Sequence, residues 1–234
     1  MPMPGSRPQK QVNQMKIKLL SAALGIVFSV AAMSVSAQKS ITTGTATVTT
    51  SMRGMDIQMK VYFTPDSMAT AFTAGPANIR LLTDANMKTF AVLVDVSAFN
   101  IKKAAIYTPD EIDQYMSAMP TFTFAPGTET KQISGFNCKK VVATDSKTKK
   151  TYDIWVTNDV TVPATATSKY YAGAGGVPIQ YTAFQKGPDG NVVEQQFTVT
   201  SITDEKAPKG TFAIPADFDK ISKDDLEAMS RGGQ

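Results

Sequence analysis

The chain has 234 residues, with 24 Lys+Arg against 20 Asp+Glu, one cysteine, one tryptophan and no histidine. Without histidine there is no Ser-His triad, no imidazole general base and no imidazole metal ligand, and a lone cysteine cannot close an internal disulfide. Four of the basic residues (Arg7, Lys10, Lys16 and Lys18) fall in the first 37 positions, which hold no acid, so the remaining chain balances at 20 against 20 and offers a nucleic-acid partner no electrostatic footing.

Residues Met15 to Ala37 are laid out as a secretory signal peptide. Lys16 and Lys18 precede an apolar run from Leu19 to Val30, and Val35-Ser36-Ala37 places small residues at the −3 and −1 positions. This predicts cleavage between Ala37 and Gln38. The apolar core is shorter than the roughly 20 residues a spanning helix needs, and no cationic flank follows it, so no transmembrane anchor is expected. No cysteine stands at the cleavage point for a lipid to be attached. Residues 1–14 read as an upstream extension, with Met15 as the alternative start. The division expected is therefore 1–37 for targeting and 38–234 for one domain, in the periplasm or secreted beyond it.

From Ile41 onward Thr, Val, Ile and Phe alternate with polar residues between Gly, Pro and Asp breaks, the pattern of short antiparallel strands. Strands are predicted over 41–50, 55–64, 67–73, 78–82, 87–96 and 101–107, with Gly75-Pro76 as a turn. Thr108-Pro109-Asp110-Glu111 then forms a capping box with Pro at the first helical position. Ile112, Tyr115, Met116 and Met119 make one apolar stripe at i, i+3, i+4 and i+7, and Pro120 ends the helix.

Lys131 to Asn158 reads as two strands joined by the polar turn Lys147-Thr148-Lys149-Lys150. It carries Cys138 and Trp155. Short helical turns are expected in 164–171, a hairpin from 177–185 to 192–202 closed around Asp189-Gly190, an extended piece at 212–215, and a last helix from Ser222 burying Leu226 and Met229. The fold class this implies is mainly β (α+β): an antiparallel curved sheet or half-barrel with a few short helices on its concave face.

Candidate chemistry is sparse. Cys138 can be read as a thiol activated by Lys139 and Lys140 or as a small buried hydrophobe; on a strand Lys139 points away from it, and no base is available. Tyr115, Met116, Met119, Phe136 and Trp155 are the candidates for lining an apolar cavity. The methionines Met55, Met59, Met68, Met87, Met116 and Met119 would suit an adaptable apolar surface or fill core gaps. The acid pairs Asp110/Glu111 and Asp224/Asp225 sit in first helical turns, where the helix dipole accounts for them. No catalytic set, metal site or cofactor is predicted.

One resemblance stands beside this reading. Ile133-Ser134-Gly135-Phe136-Asn137-Cys138-Lys139-Lys140, followed by Tyr152-Asp153-Ile154-Trp155-Val156-Thr157-Asn158-Asp159, resembles the central motif of the uncharacterised secreted family known as domain of unknown function 4412. That family in turn looks related to the lipoprotein-localisation carriers, whose antiparallel half-barrel is closed by helices. The close motif covers about 30 residues and carries no assigned ligand residues. The resemblance implies a half-barrel. With the Met- and Phe-rich alternation it leads to the expectation of an exported, non-enzymatic envelope protein holding a lipid or other apolar small molecule. The alternative is a solidly packed module that binds another envelope protein.

Overall fold

The structure, a computed structural model, describes Met1 and residues 38–52, 54–166, 169–186 and 191–232. The targeting segment with Ala37 and the Asp189-Gly190 turn lie outside the described residues; Gln38 is within them and exposed. In chain order the elements are β1 (Lys39–Ser40), β2 (Gly44–Met52), β3 (Met55–Phe63), β4 (Ser67–Ala74), β5 (Ala77–Asp84), β6 (Phe90–Val96), β7 (Ile101–Ile106), α1 (Pro109–Ala118), β8 (Phe122–Ile133), β9 (Phe136–Asp145), β10 (Thr151–Thr157), β11 (Val160–Thr161), β12 (Val177–Lys186), β13 (Val192–Thr203), β14 (Asp219–Ile221) and α2 (Lys223–Gly232). Single 3-10 turns fall at Ala164–Ala166 and Lys169–Tyr171.

Among the described residues, twelve strands make one sheet in the order β14-β7-β6-β5-β4-β3-β2-β13-β12-β10-β9-β8. Every neighbour is antiparallel except β14, which runs parallel to β7. The end strands do not pair with each other, so the sheet curves without closing: the expected curved sheet or half-barrel. Register shifts supply bends where extra residues are accommodated, one each at Trp155/Val156 and Val199/Ser201 and two at Pro126/Thr130. β1 and β11 form a separate parallel pair.

The cross-strand register separates the two faces of the first half of the sheet. Phe63, Met68, Thr83 and Phe90 are successive partners from β3 to β6 and share the concave face. Tyr62, Ala69, Leu82 and Ala91 form the neighbouring row on the opposite face. That outer row is buried under Phe212, Ile214 and Phe218. The predicted extended piece at 212–215 is therefore corrected: it forms turns and acts as a strap, and the short strand comes later, at β14. A strap on one side and helices on the other suit the nearly all-apolar Phe90–Val96 of β6, both of whose faces need cover.

α1 forms as expected. The Thr108 hydroxyl accepts from the Glu111 N–H, and the Glu111 carboxylate accepts from the Thr108 N–H at 2.7 Å. The helix joins β7, near one end of the sheet, to β8 at the other. Tyr115 stacks on Phe90 of β6 with ring centroids 6.0 Å apart, while Met119 joins Val141, Ala143 and Ile154 of β9 and β10. The helix thus bridges the concave side. By contrast α2 packs against β7, with Leu226 half-buried and Met229 41% exposed. The expected burial of Met229 does not occur, because this terminal helix meets the sheet along a single strand.

No element is expected from sequence between Pro120 and Lys131, yet β8 runs through Phe122–Ile133 and includes Pro126. It is an end strand, where a proline at a register shift is tolerated because no ladder hydrogen bond is lost on the open side. The central stretch is correspondingly richer than two strands. Ile133 and Phe136 are direct partners across a two-residue turn, Ser134 (φ 51°) and Gly135 (φ 86°). Positive φ at both positions is the geometry of a tight hairpin whose twist matches its strands.

Candidate functional site

Beneath α1 lies a cavity of about 200 Å3. Strands β4 to β6 form its floor through Met68, Leu81, Thr83 and Phe90; α1 supplies Tyr115 and Met116, and its C-cap residue Met119 follows; Ala164, Thr165, Tyr170 and Phe184 close the far side. Among the described residues four methionines line it, counting Met87 from the turn after β5. Their thioethers have three soft torsions each, so the wall can adjust to a guest. Of the remaining methionines considered from sequence, Met59 is buried in the core and Met55 is exposed.

An aromatic wall backs the cavity. Phe122 stacks flat on Tyr171 at 5.4 Å and lies within 5.6–6.4 Å of Tyr152, Tyr170 and Phe184. The wall is tied down by polar tips. The Tyr171 hydroxyl donates to the Thr182 carbonyl at 2.8 Å, and the Tyr152 hydroxyl donates to Glu194 at 2.7 Å. Burial pushes the Tyr171 and Tyr181 phenols far above their ordinary range, and pushes Tyr115 up to about 12, with Tyr170 and Tyr107 adding to it. These phenols stay protonated at any ordinary pH.

The five residues predicted to line a cavity are divided by the structure. Tyr115, Met116 and Met119 line it. Phe136 and Trp155 do not: they pack in a different cluster with Ile41, Cys138 and Ile179. Strand alternation is the reason. Ile154 and Val156 of β10 face the Val141/Ala143 cluster, which turns Trp155 to the opposite side, where the Lys131 ammonium sits 4.0 Å from its ring centroid. Thr83, Leu81, Tyr170 and Phe184 are not legible as lining residues from sequence, because they are distant along the chain and meet only through register.

Cys138 is 1% exposed. Burial, followed by the negative charge of Asp159, pushes its thiol up, the opposite of nucleophile activation. Lys140, the one lysine that could share its face, is held by Glu129 at 2.8 Å and Asp153 at 2.7 Å. Among the described residues no three carboxylate or thiol groups gather as a metal site. No helix among them is long and apolar enough to cross a membrane.

A second hollow of about 700 Å3 lies on the outer face between β3–β6 and the strap, lined by Lys60, Tyr62, Arg80 and Asp95 with Lys209 and Asp217. Arg80 spans it, donating to the carbonyls of Gly210 and Thr211 at 3.3 and 3.2 Å. This hydrogen bonding anchors the strap.

No protein-family model and no curated protein matches the chain. Among solved structures it is similar to PNGF-II at 17% identity and a TM-score of 0.45, covering 80% of this chain and 32% of that one. It is also similar to an uncharacterized conserved protein from Thermus thermophilus, at 11% identity and a TM-score of 0.45, covering 78% and 91%. The chain thus spans about a third of the PNGF-II structure. At such scores neither likeness speaks to what the chain does.

Proposed function

We propose that this is an exported, non-enzymatic envelope protein that holds an apolar small molecule or lipid chain between α1 and the concave face of its sheet. The observation that carries the reading is the cavity of about 200 Å3 lined by Met68, Met87, Phe90, Met116 and Met119. Its size lies between an apolar cavity of about 150 Å3 that takes benzene and ordinary ligand pockets, which begin at about 300 Å3. Movable thioethers and a bridging helix supply the means to expand. The export half of the proposal rests on Met15–Ala37 as a signal peptide.

The test is native mass spectrometry with organic extraction on the full chain recovered from a bacterial envelope fraction. A co-purifying apolar molecule is expected, and Met116→Glu, which sets a charge against the cavity, should abolish it. A bare protein mass in several hosts, unchanged by added lipid, would overturn the ligand reading in favour of a protein-interaction module.

A further inference from the structure

Two side chains in the cavity wall are polar and unused. Thr83 is 9% exposed and stands in the middle of the concave row, yet its hydroxyl makes no hydrogen bond among the described residues; neither does the hydroxyl of Tyr115. Other polar groups in the wall are engaged: Thr165 donates to the Thr64 carbonyl at 2.5 Å, and Tyr170 accepts from the Phe184 N–H at 3.3 Å. Both residues line the hollow, and among the described residues no fully enclosed side-chain nitrogen or oxygen lacks a partner, so neither hydroxyl is sealed off and each is accessible to a further partner. An accessible hydroxyl with no partner in the protein is free to donate to a guest.

The two residues neighbour the same side chain, Phe90. Thr83 is the cross-strand partner of Phe90, and Tyr115 stacks on Phe90 from above. Both hydroxyls can donate, and a carbonyl oxygen in the hollow would accept. Charge narrows the guest further. Among the described residues the lining contains no lysine or arginine, and its one acid is Asp84, whose carboxylate accepts from the N–H groups of Asn86 and Lys88 at 2.9 Å each. A carboxylate guest would be desolvated beside an acid with no cation to receive it.

We infer that the cavity selects an uncharged apolar molecule carrying a hydrogen-bond acceptor, of the class of a short ester, over the corresponding carboxylate, with Thr83 and Tyr115 as the donors. This rests on the ligand-binding reading above. It adds a selectivity that reading does not require, because a purely apolar wall would take a hydrocarbon equally well. The Tyr115 phenol, raised by burial, remains a donor throughout the accessible pH range.

The test is a set of calorimetric titrations of the full chain and its Thr83→Val and Tyr115→Phe variants with methyl hexanoate, hexanoate at pH 8 and toluene. Both substitutions preserve shape and remove one donor. Wild-type protein should bind the ester about tenfold or more tightly than hexanoate. Each variant should lose about three- to tenfold of the ester affinity, the worth of one neutral hydrogen bond, while toluene changes less than about twofold. Equal ester affinity in wild type and both variants, or tighter binding of hexanoate, would overturn the selectivity while leaving a ligand site standing. Failure of the wild-type protein to bind either ester or toluene would overturn the site itself.

Discussion

Cys138 shows how one residue's environment decides its chemistry. Its neighbours in sequence, Lys139 and Lys140, suggest an activated thiolate, but the side chain is enclosed with Ile41, Ile179 and Phe63. The thiol is the sulfur's stable form there, since burial and the charge of Asp159 both oppose ionisation. In the native protein at pH 8 a disulfide reagent should label Cys138 at least about tenfold more slowly than in denaturant. Fast labelling of folded protein would show the enclosure to be wrong. Cys138→Ala should fold and cost about 1–2 kcal/mol in denaturant unfolding. Thr83 makes the complementary point: nothing in its sequence neighbourhood marks it, and only its place in a row of cross-strand partners sets it in the cavity wall.

At the scale of elements, the turns carry as much specification as the strands. The lysine-rich tip between β9 and β10 is organised by Asp145. Its carboxylate accepts from the Lys147 N–H at 2.8 Å and the Thr148 hydroxyl at 2.7 Å. Burial pushes the Asp145 carboxyl up, but these hydrogen bonds outweigh it, and the group ends below its ordinary value. A carboxyl depressed in the folded state stabilises the protein above its unfolded pKa, and that contribution is lost as pH falls through the folded pKa. Asp145→Asn should therefore destabilise by about 1–2 kcal/mol at pH 6, and the difference from wild type should shrink as pH is lowered from about 4. A gap constant from pH 6 to pH 3 in urea unfolding would contradict this assignment. The same scale explains the Ile133–Lys140 motif. Its glycine sits at φ 86° in the β8–β9 turn, so the motif's spacing reflects hairpin geometry.

For the whole molecule, the decisive feature is a sheet covered differently on its two sides. On the concave side, α1 leaves a cavity. On the outer side, Phe212, Ile214 and Phe218 of the strap from Pro208 to Phe218 cover Ala69, Leu82, Ala91, Leu93 and Ala104 beside the polar-lined hollow, and the Lys102–Asp217 and Lys103–Asp219 pairs border the strap at 2.6 and 2.7 Å. Those ion pairs are solvent-exposed and contribute little each; the apolar cover contributes more. Phe218→Ala should lower stability by about 2 kcal/mol, while Lys102→Ala should change it by less than about 1 kcal/mol. Equal losses in thermal or urea unfolding would mean that the strap is held electrostatically.

What the sequence by itself determined was local: strand alternation from 55 to 107, the capping box and stripe of α1, the hairpin at 147–150, and the lack of histidine and of cysteine pairs. These are legible because period-2 and period-3.6 patterns, caps and turns act between residues a few positions apart. Only the tertiary structure decided which residues meet. Register brought Met68, Thr83 and Phe90 into one row beneath Tyr115, and turned Trp155 away from Ile154. The edge position of β8 allowed a strand through Pro126, in a stretch where no element is expected from sequence. Register, curvature and strand order depend on pairings between residues up to 160 positions apart, as in the Thr45 hydroxyl donating to the Glu205 carbonyl. No local pattern encodes those pairings, because the same alternating strand can pair with many partners.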